Sequence, residues 1–256
     1  MDEVRATPRG NSSDVTALVE CESGPVFVRA CRNRPGGRRA SLIRERQVNP
    51  YARTVSPALR WQAEDDEWIA LGFEAVEGRP ADFTPGSPDL PAVVDVLNRI
   101  GELPLPPEAH AWTETRWNRY AAEADASLFE GRTLLFTDIN PDNVMMGDDR
   151  TWAVDWSWPT RGAAFIDPAC LVVQLIAAGH SAGDAESWAA RCKAWAEADS
   201  QAIDAFCAAT VRMHRTFAER SSEASWIRKM ADAAESWSRL RSPVPGPDGV
   251  TQLQDP

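Results

Sequence analysis

Apolar and polar residues follow two different periods along this chain of 256 residues. In the first part, short apolar runs such as Val26–Ala30 and Trp68–Val76 are bounded by polar or glycine-containing turns, which is typical of strands. Beyond about Asp167, apolar residues recur at every third or fourth position, which predicts helices with one buried face. The change of period predicts an α+β fold in which a strand-rich part precedes a helical part.

A predicted hairpin lies near the middle of the chain. Val144–Met146 and Trp152–Val154 read as two short apolar strands, and Gly147–Arg150 reads as the tight turn that joins them. Because the strands of a hairpin run antiparallel, residues that flank its open end lie close together. The hairpin would therefore bring Asn143 and Asp155 to the same end.

The residue types and order of Asp138, Asn143 and Asp155 suit phosphoryl transfer. That reaction needs a carboxylate near the attacking hydroxyl and separate oxygen ligands for the Mg²⁺ that bridges the nucleotide phosphates. Asp138 would orient the acceptor hydroxyl and take its proton, while Asn143 and Asp155 would hold the metal. Each residue alone could be an ordinary turn or strand-end residue. The complete pattern favours function, because a turn requires neither this spacing nor a second carboxylate on the partner strand.

The same residues carry a family resemblance. Thr137–Val144, together with Val154–Trp156, resembles the motifs of the aminoglycoside phosphotransferase and related small-molecule kinase family. The resemblance implies a protein-kinase-like two-lobe fold, with a small antiparallel β-sheet lobe and a larger, mainly helical lobe. It also implies that Asp138 is the catalytic residue and that Asn143 and Asp155 are the metal ligands.

The resemblance further implies that the first lobe binds a nucleotide, ATP or GTP. The segment that contains Gly10, Ser12 and Ser13 lies between two runs with strand character and could fold over the phosphates through backbone amides. An ordinary hairpin loop is an equally good interpretation of that segment. Backbone groups from Glu74 to Val76 would bind the nucleotide base.

Two residues depart from the family pattern. Arg29 stands where the family has its phosphate-binding Lys, and Glu45, on a predicted helix, would be the carboxylate that pairs with it. Arg keeps the positive charge, but its planar fork is longer and wider than an ammonium group. Phe136 lies two residues before Asp138, where the family commonly has His. These departures support an alternative in which the protein binds nucleotide but is catalytically impaired.

Further helices are predicted between the two lobes' motifs. Asp89–Pro91 followed by an apolar stripe predicts a helix with Asp89 as its cap, and a second helix is predicted from Glu108 towards Ala126. Asp167 matches a further family Asp that positions the catalytic and metal-binding loops. Local chemistry also predicts that Asp167 is a helix N-cap, since Pro168 follows it.

We predict three parts: residues 1–78 as a nucleotide-binding lobe, 79–241 as a catalytic and acceptor-binding lobe, and 242–256 as a flexible tail rich in Pro and Gly. The helical stripes of the second lobe are expected to form its core. His214 shares the apolar face of its helix, so a core histidine is a better interpretation than a catalytic base.

Net charge and cysteine content limit the classes of partner and the location that are expected. The formal net charge of −11 and a pI near 4.8 argue against nucleic acid and would suit a cationic acceptor such as an aminosugar. The five cysteines form no Cys-x-x-Cys pair, which favours a reduced, cytoplasmic location. No apolar run is long enough to span a membrane, and no secretion signal is expected. The oligomeric state stays open.

The leading hypothesis is a Mg²⁺-dependent phosphotransferase. It would move the terminal phosphoryl group of ATP or GTP to a hydroxyl of a small polar molecule, such as an aminoglycoside-like antibiotic or a metabolite. The main alternative is a nucleotide-binding pseudokinase. A hydrolase that uses Asp138 and Asp155 as a carboxylate pair explains neither Asn143 nor the order of the motifs.

Overall fold

The computed structural model describes residues 4–6, 13–22, 24–220 and 225–242. Its first part is a five-stranded antiparallel sheet with the spatial order β1-β2-β3-β5-β4. The strands are β1 Val4–Ala6, β2 Val15–Cys21, β3 Gly24–Arg32, β4 Leu59–Glu64 and β5 Trp68–Glu74. The two strands predicted around Val26–Ala30 and Trp68–Val76 are therefore confirmed, as β3 and β5.

One helix, α1 (Gly37–Ala52), connects β3 to β4 and packs on the sheet. Leu42 on this helix is fully buried with the strand residues Ile69, Leu71 and Phe73. Burial of these apolar side chains fixes the position of α1 against the sheet. It thereby fixes Glu45, which lies on the same helix three residues after Leu42 and faces β3.

The predicted hairpin is present between the sheet and the helical part. Strand β8 (Val144–Met146) pairs antiparallel with β9 (Thr151–Ala153), and Val144 lies opposite Ala153. Strand β6 (Arg79–Pro80) adds to the outer side of β8. A separate pair is formed by β7 Thr133–Leu135 and β10 Thr160–Gly162, so that the loop carrying Asp138 runs from β7 into β8.

The remainder is helical and encloses the main core. Its helices are α2 Leu90–Gly101, α3 Ile166–Ala177, α4 Ala182–Ala189, α5 Lys193–Ala196, α6 Ser200–Arg220 and α7 Ser225–Arg241. The core holds fully buried aromatic side chains from several elements, among them Phe129, Phe136, Phe206 and Trp237. An antiparallel sheet lobe followed by a larger helical part confirms the predicted α+β class.

The helix predicted from Glu108 towards Ala126 is wrong. This stretch contains three separate turns of 3₁₀ helix, at Pro107–Ala111, Asn118–Tyr120 and Ala126–Phe129. The Glu114 carboxylate accepts the backbone N–H groups of Arg116, Trp117 and Asn118. Such local side-chain acceptors compete with the hydrogen bonds that a continuous helix needs.

The two predicted caps also differ from the structure. Helix α2 begins after Asp89, but the Asp89 carboxylate makes no capping bond and instead pairs with the Arg79 guanidinium at 2.6 and 2.8 Å. Helix α3 begins at Ile166 with Phe165 in the N-cap position, so the predicted N-cap at Asp167 is wrong. Both carboxylates bind groups outside their helices.

The division at residue 78 stays a prediction, and the predicted tail lies outside the described residues except for Ser242. Across the described ranges, the helices are all too short or too polar to cross a lipid bilayer.

Phe136 offers a test of the core beside the catalytic loop. Its side chain is fully buried, and its ring centroid lies 4.7 Å from that of Trp156. We expect Phe136→Ala to lower the free energy of unfolding by about 3–5 kcal/mol, because it removes a large buried ring. Leu240→Ala, at a side chain that is 44% exposed, should change it by less than about 0.5 kcal/mol. Equal effects in urea titrations would contradict this packing.

Candidate active site

A cavity of about 1210 Å³ joins the sheet, the catalytic loop and helices α3, α6 and α7. Seven of the predicted site residues line it together: Arg29, Glu45, Glu74, Val76, Asp138, Asn143 and Asp155. Ser13 does not line the cavity but contacts Arg29. Gly10 and Ser12 lie outside the described residues, so their predicted phosphate role stays a prediction.

The loop after β7 holds Asp138 through its own side chains. The Asn140 side-chain oxygen accepts the amides of Asp142 and Asn143 at 3.0 and 3.1 Å. Its nitrogen donates to the carbonyl and the carboxylate of Asp138 at 3.1 and 3.3 Å. Burial raises the pKa of Asp138, while the Arg116 guanidinium opposes that shift. The result is a carboxylate with a fixed orientation and increased basicity.

Two residues that flank the centre adopt left-handed backbone conformations. Thr137 has φ 63° and Asp155 has φ 61°, which is unfavourable for residues other than glycine, above all for a β-branched residue. Contacts on all sides hold Thr137: its hydroxyl donates to the Trp158 carbonyl at 2.9 Å, and its own carbonyl accepts from Arg116 at 3.1 Å. The local backbone is thus constrained by the surrounding structure.

The buried Asp167 carboxylate anchors the same segment. Its two oxygens accept the amides of Phe136 and Thr137 at 2.9 and 2.8 Å. Burial raises the pKa of this carboxyl to about 6, although both amides and Arg116 oppose the shift. These bonds agree with the predicted role of Asp167 in positioning the catalytic loop.

Arg29 is the most connected side chain of the centre. Its Nη1 lies 3.0 and 2.9 Å from the two Glu45 oxygens and 2.7 Å from Asp155 Oδ1. Its Nη2 donates to the Ser157 hydroxyl at 2.9 Å, and its Nε donates to the Ser13 hydroxyl at 3.2 Å. The structure therefore contains the predicted pair between Arg29 and Glu45 and extends it to the hairpin.

The charges of this cluster support one another. Burial alone would lower the pKa of Arg29, but the carboxylates of Glu45 and Asp155 outweigh it and raise that pKa. Burial raises the pKa of Glu45 to about 7, against the opposing effect of Arg29. Arg29 therefore remains a cation, and it needs its acidic partners to be stable inside the protein.

Asn143 and Asp155 lie together at the open end of the hairpin, as predicted. The Val154 amide donates to the Asn143 carbonyl at 2.9 Å, which continues the pairing of β8 and β9 to the residue before Asp155. The Asn143 side-chain nitrogen donates to the Asp138 carbonyl at 3.0 Å, so its oxygen remains for another partner. One carboxylate and one amide oxygen fit Mg²⁺, which typically completes its shell with phosphates and water.

The described ranges contain no group of three or more His, Cys, Asp or Glu side chains that could hold a metal. Asn143 and Asp155 would fill only two positions of a Mg²⁺ shell, which leaves the others for phosphate oxygens and water.

The predicted base-binding segment forms the edge of the cavity next to β5. The Glu74 amide donates to the Ala58 carbonyl at 2.9 Å and the Ala75 amide to the Pro25 carbonyl at 3.4 Å. The Val76 amide has no acceptor among the residues that the structure describes. Of the three amides, that of Val76 is the one available to a ligand.

Sequence reasoning missed two residues of the site, Arg116 and Ser157, which both line the cavity. Ser157 follows Asp155 by two residues, and its hydroxyl donates to that carboxylate, so the local sequence did contain a signal. Arg116 lies in no recognisable motif, and only the fold brings it to Thr137.

Three solved structures with a similar fold are small-molecule phosphotransferases. The choline kinase LicA from Streptococcus pneumoniae has a TM-score of 0.62 and 11% identity, over 92% of this chain and 94% of that chain. A macrolide 2′-phosphotransferase from Brachybacterium faecium has a TM-score of 0.51 and 16% identity, over 90% and 91%. An aminoglycoside phosphotransferase from Streptomyces rimosus has a TM-score of 0.50 and 15% identity, over 92% of each.

No family model and no curated protein matches the sequence. The predicted resemblance to the aminoglycoside phosphotransferase and related small-molecule kinase family is confirmed at the level of the fold.

The variant Asp167→Asn tests the raised pKa of the buried Asp167 carboxyl through the pH dependence of protein stability. Because the pKa of Asp167 is about 6 in the folded protein and about 3.9 in an unfolded chain, its ionisation costs roughly 3 kcal/mol of stability as the pH rises through this window. An amide cannot ionise. We therefore expect the unfolding free energy of the wild type, relative to the variant, to be highest below about pH 4 and to have fallen by that amount at pH 7. A difference in unfolding free energy that does not vary with pH would show that the pKa of Asp167 is not raised in the folded protein.

Proposed function

We propose that this protein transfers the terminal phosphoryl group of ATP or GTP to a hydroxyl of a small molecule. The observation that carries the proposal is the shared cavity, in which Asp138, Asn143 and Asp155 meet the cluster around Arg29. The similar folds support it, since one of them, LicA, has also been solved in complex with AMP. A cytoplasmic location would supply the nucleotide and suits the five free cysteines.

In the proposed reaction, the Asp138 carboxylate accepts the proton of the acceptor hydroxyl as its oxygen attacks the terminal phosphorus. The bond from that phosphorus to the bridging oxygen breaks, and the nucleoside diphosphate leaves with the electron pair. Asn140 and Asn143 keep Asp138 oriented through the bonds described above. A positioned general base contributes about 10²–10⁴ in rate.

The charged groups of the cleft would hold the nucleotide. Asn143 and Asp155 would be the ligands of Mg²⁺, which would neutralise charge on the phosphates. Arg29 would donate to phosphate oxygens while Glu45 keeps its guanidinium in place. The Val76 amide would donate to the nucleotide base.

A catalytically impaired nucleotide-binding protein is the second candidate. Its support is the 2.7 Å contact between Arg29 Nη1 and Asp155 Oδ1, because a guanidinium on that carboxylate competes with a metal ion. The Arg29 cluster thus allows two outcomes, and they differ in whether transfer follows nucleotide binding.

Asp138→Asn tests the base. We expect it to lower kcat by about 10²–10⁴ with an unchanged melting temperature. We expect Asp155→Asn to abolish transfer, and also to lower the melting temperature because it removes a partner of the buried Arg29. Transfer is measured with γ-labelled ATP and GTP in Mg²⁺. Asp148→Asn, in the exposed turn of the same hairpin, is the matched control and should keep wild-type activity. Near-normal activity of Asp138→Asn would show that Asp138 is not the base.

The variant Arg29→Lys tests the buried cluster, and its activity bears on the choice between a phosphotransferase and an impaired nucleotide-binding protein. Lys keeps the charge but cannot contact Ser13, Ser157 and both carboxylates at once, so we expect a loss of about 2–4 kcal/mol in unfolding free energy. The matched control is Arg32→Lys on the same strand, where the exposed pair with Glu67 contributes little.

The phosphotransferase proposal expects Mg²⁺ and nucleotide to raise the melting temperature of both wild type and Arg29→Lys, with transfer detectable in each. A nucleotide-dependent shift with no transfer in either protein, across a broad acceptor panel, would instead establish the impaired alternative.

A further inference from the structure

The helical end of the cavity is unusually apolar for a site that binds a hydrophilic acceptor. The large apolar side chains that line it from helices α3, α6 and α7 and from the segment before the catalytic loop are of two kinds. Trp117, Val173, Phe206 and Met213 belong to the buried core, whereas Phe217 and Trp226 are partly or largely exposed. The Trp226 side chain is 65% exposed, although a Trp ring in contact with water is costly. An acceptor with a substantial apolar body would cover such a surface.

The carboxylates of the cavity lie elsewhere. Those that line it are Glu45, Glu74, Asp138, Asp142 and Asp155, all on the sheet lobe or in the catalytic loop and hairpin. Within the described ranges, α3, α6 and α7 contribute no carboxylate to the lining. A polycationic aminosugar would find no anionic partner on these helices.

The charged groups at the helical end are positive. Arg116 and the exposed Lys229 both line the cavity. Arg116 also acts on the carboxyls of Asp138 and Asp167, where it opposes the rise in pKa that burial causes. His214 on α6 also lines it, half-buried and in edge contact with Phe217 at 6.3 Å. Burial and the nearby Arg116 lower the pKa of His214 to about 4, so it is neutral near pH 7. Arg116 and Lys229 therefore disfavour a cationic group at the helical end, whereas the lining carboxylates lie on the other elements of the cavity.

Uncharged hydrogen-bonding groups are available instead. The Trp117 indole N–H and the Thr210 hydroxyl are buried in residues that line the cavity, and neither has a partner among the described residues. Buried polar groups without partners are rare in folded proteins. Hydroxyl or carbonyl groups of a neutral ligand could satisfy both after a small side-chain movement.

We propose that the acceptor is an alcohol with a large apolar, ring-containing body and no positive charge. This inference rests on the proposed function and departs from the aminoglycoside-like acceptor that the sequence suggested. The apolar helices would bind the body of the acceptor, and its hydroxyl would point to Asp138. Arg116 and Lys229 would exclude amines.

The test compares acceptors that differ in charge. One pair is 3-phenyl-1-propanol and phenylalaninol, which share a skeleton and differ by an amino group. A second pair is a neutral macrolactone polyol and kanamycin. Binding is followed by quenching of tryptophan fluorescence, since Trp117, Trp158 and Trp226 line the cavity, and transfer by label from γ-labelled nucleotide. We expect the neutral member of each pair to bind at least tenfold more tightly and to be the preferred substrate.

A charge reversal sharpens the test. Lys229→Glu should shift the binding preference towards phenylalaninol by about tenfold, because it places a carboxylate on the lining. Arg228→Glu is the matched control: it makes the same change at the neighbouring exposed position of α7, which does not line the cavity, and should leave the preference unchanged.

The outcomes separate the two proposals. Preferred binding of the neutral probes without any transfer would support this acceptor class and count against phosphoryl transfer. Preferred binding or phosphorylation of kanamycin or phenylalaninol would overturn the acceptor class and leave the phosphotransferase intact. Failure of every neutral probe to bind would also overturn it.

Discussion

The ion pairs and hydrogen bonds of the buried Arg29 guanidinium hold the candidate active site together. Arg29 lies on β3. Its guanidinium contacts Glu45 on α1, and it also contacts Asp155 and Ser157, which follow strand β9 of the hairpin. An unpaired charge in this environment would be strongly unfavourable, so removing one partner of such a pair commonly costs 3–5 kcal/mol. The sheet lobe and the hairpin are thus held together by an electrostatic requirement, in addition to apolar packing.

The same cluster decides how the protein can bind a nucleotide. Arg29 contacts Asp155 at 2.7 Å, and the proposed Mg²⁺ would need that carboxylate as a ligand. Nucleotide phosphates would offer the Arg29 guanidinium other acceptors. Arg29 would then release Asp155 to the metal ion while it stayed bound to Glu45. Arg has five donors in a fixed fork, so it can contact phosphate and Glu45 together. A Lys has a single ammonium group for both partners.

The sequence predicted those parts of the site that are encoded locally. Asn143 and Asp155 were placed correctly because a two-stranded hairpin with a short turn brings its ends together. Arg29 was located from the order of the family's motifs along the chain, without any argument from geometry. The helix around Glu114 was predicted wrongly, since which local amides a carboxylate will bind is settled only in the folded chain. The approach of Lys229 to the cavity depends on helix packing, which leaves no motif.

The charge of the whole protein is a poor guide to its acceptor. A net charge of −11 suits a cationic acceptor, yet charges on an exposed surface are screened within about 8–10 Å in physiological salt. A ligand inside a cavity interacts mainly with the groups that line it. At the helical end, these are Arg116, Lys229 and the neutral His214. Under the proposal, the acceptor is recognised by a small positive and apolar region whose charge is opposite to that of the whole protein.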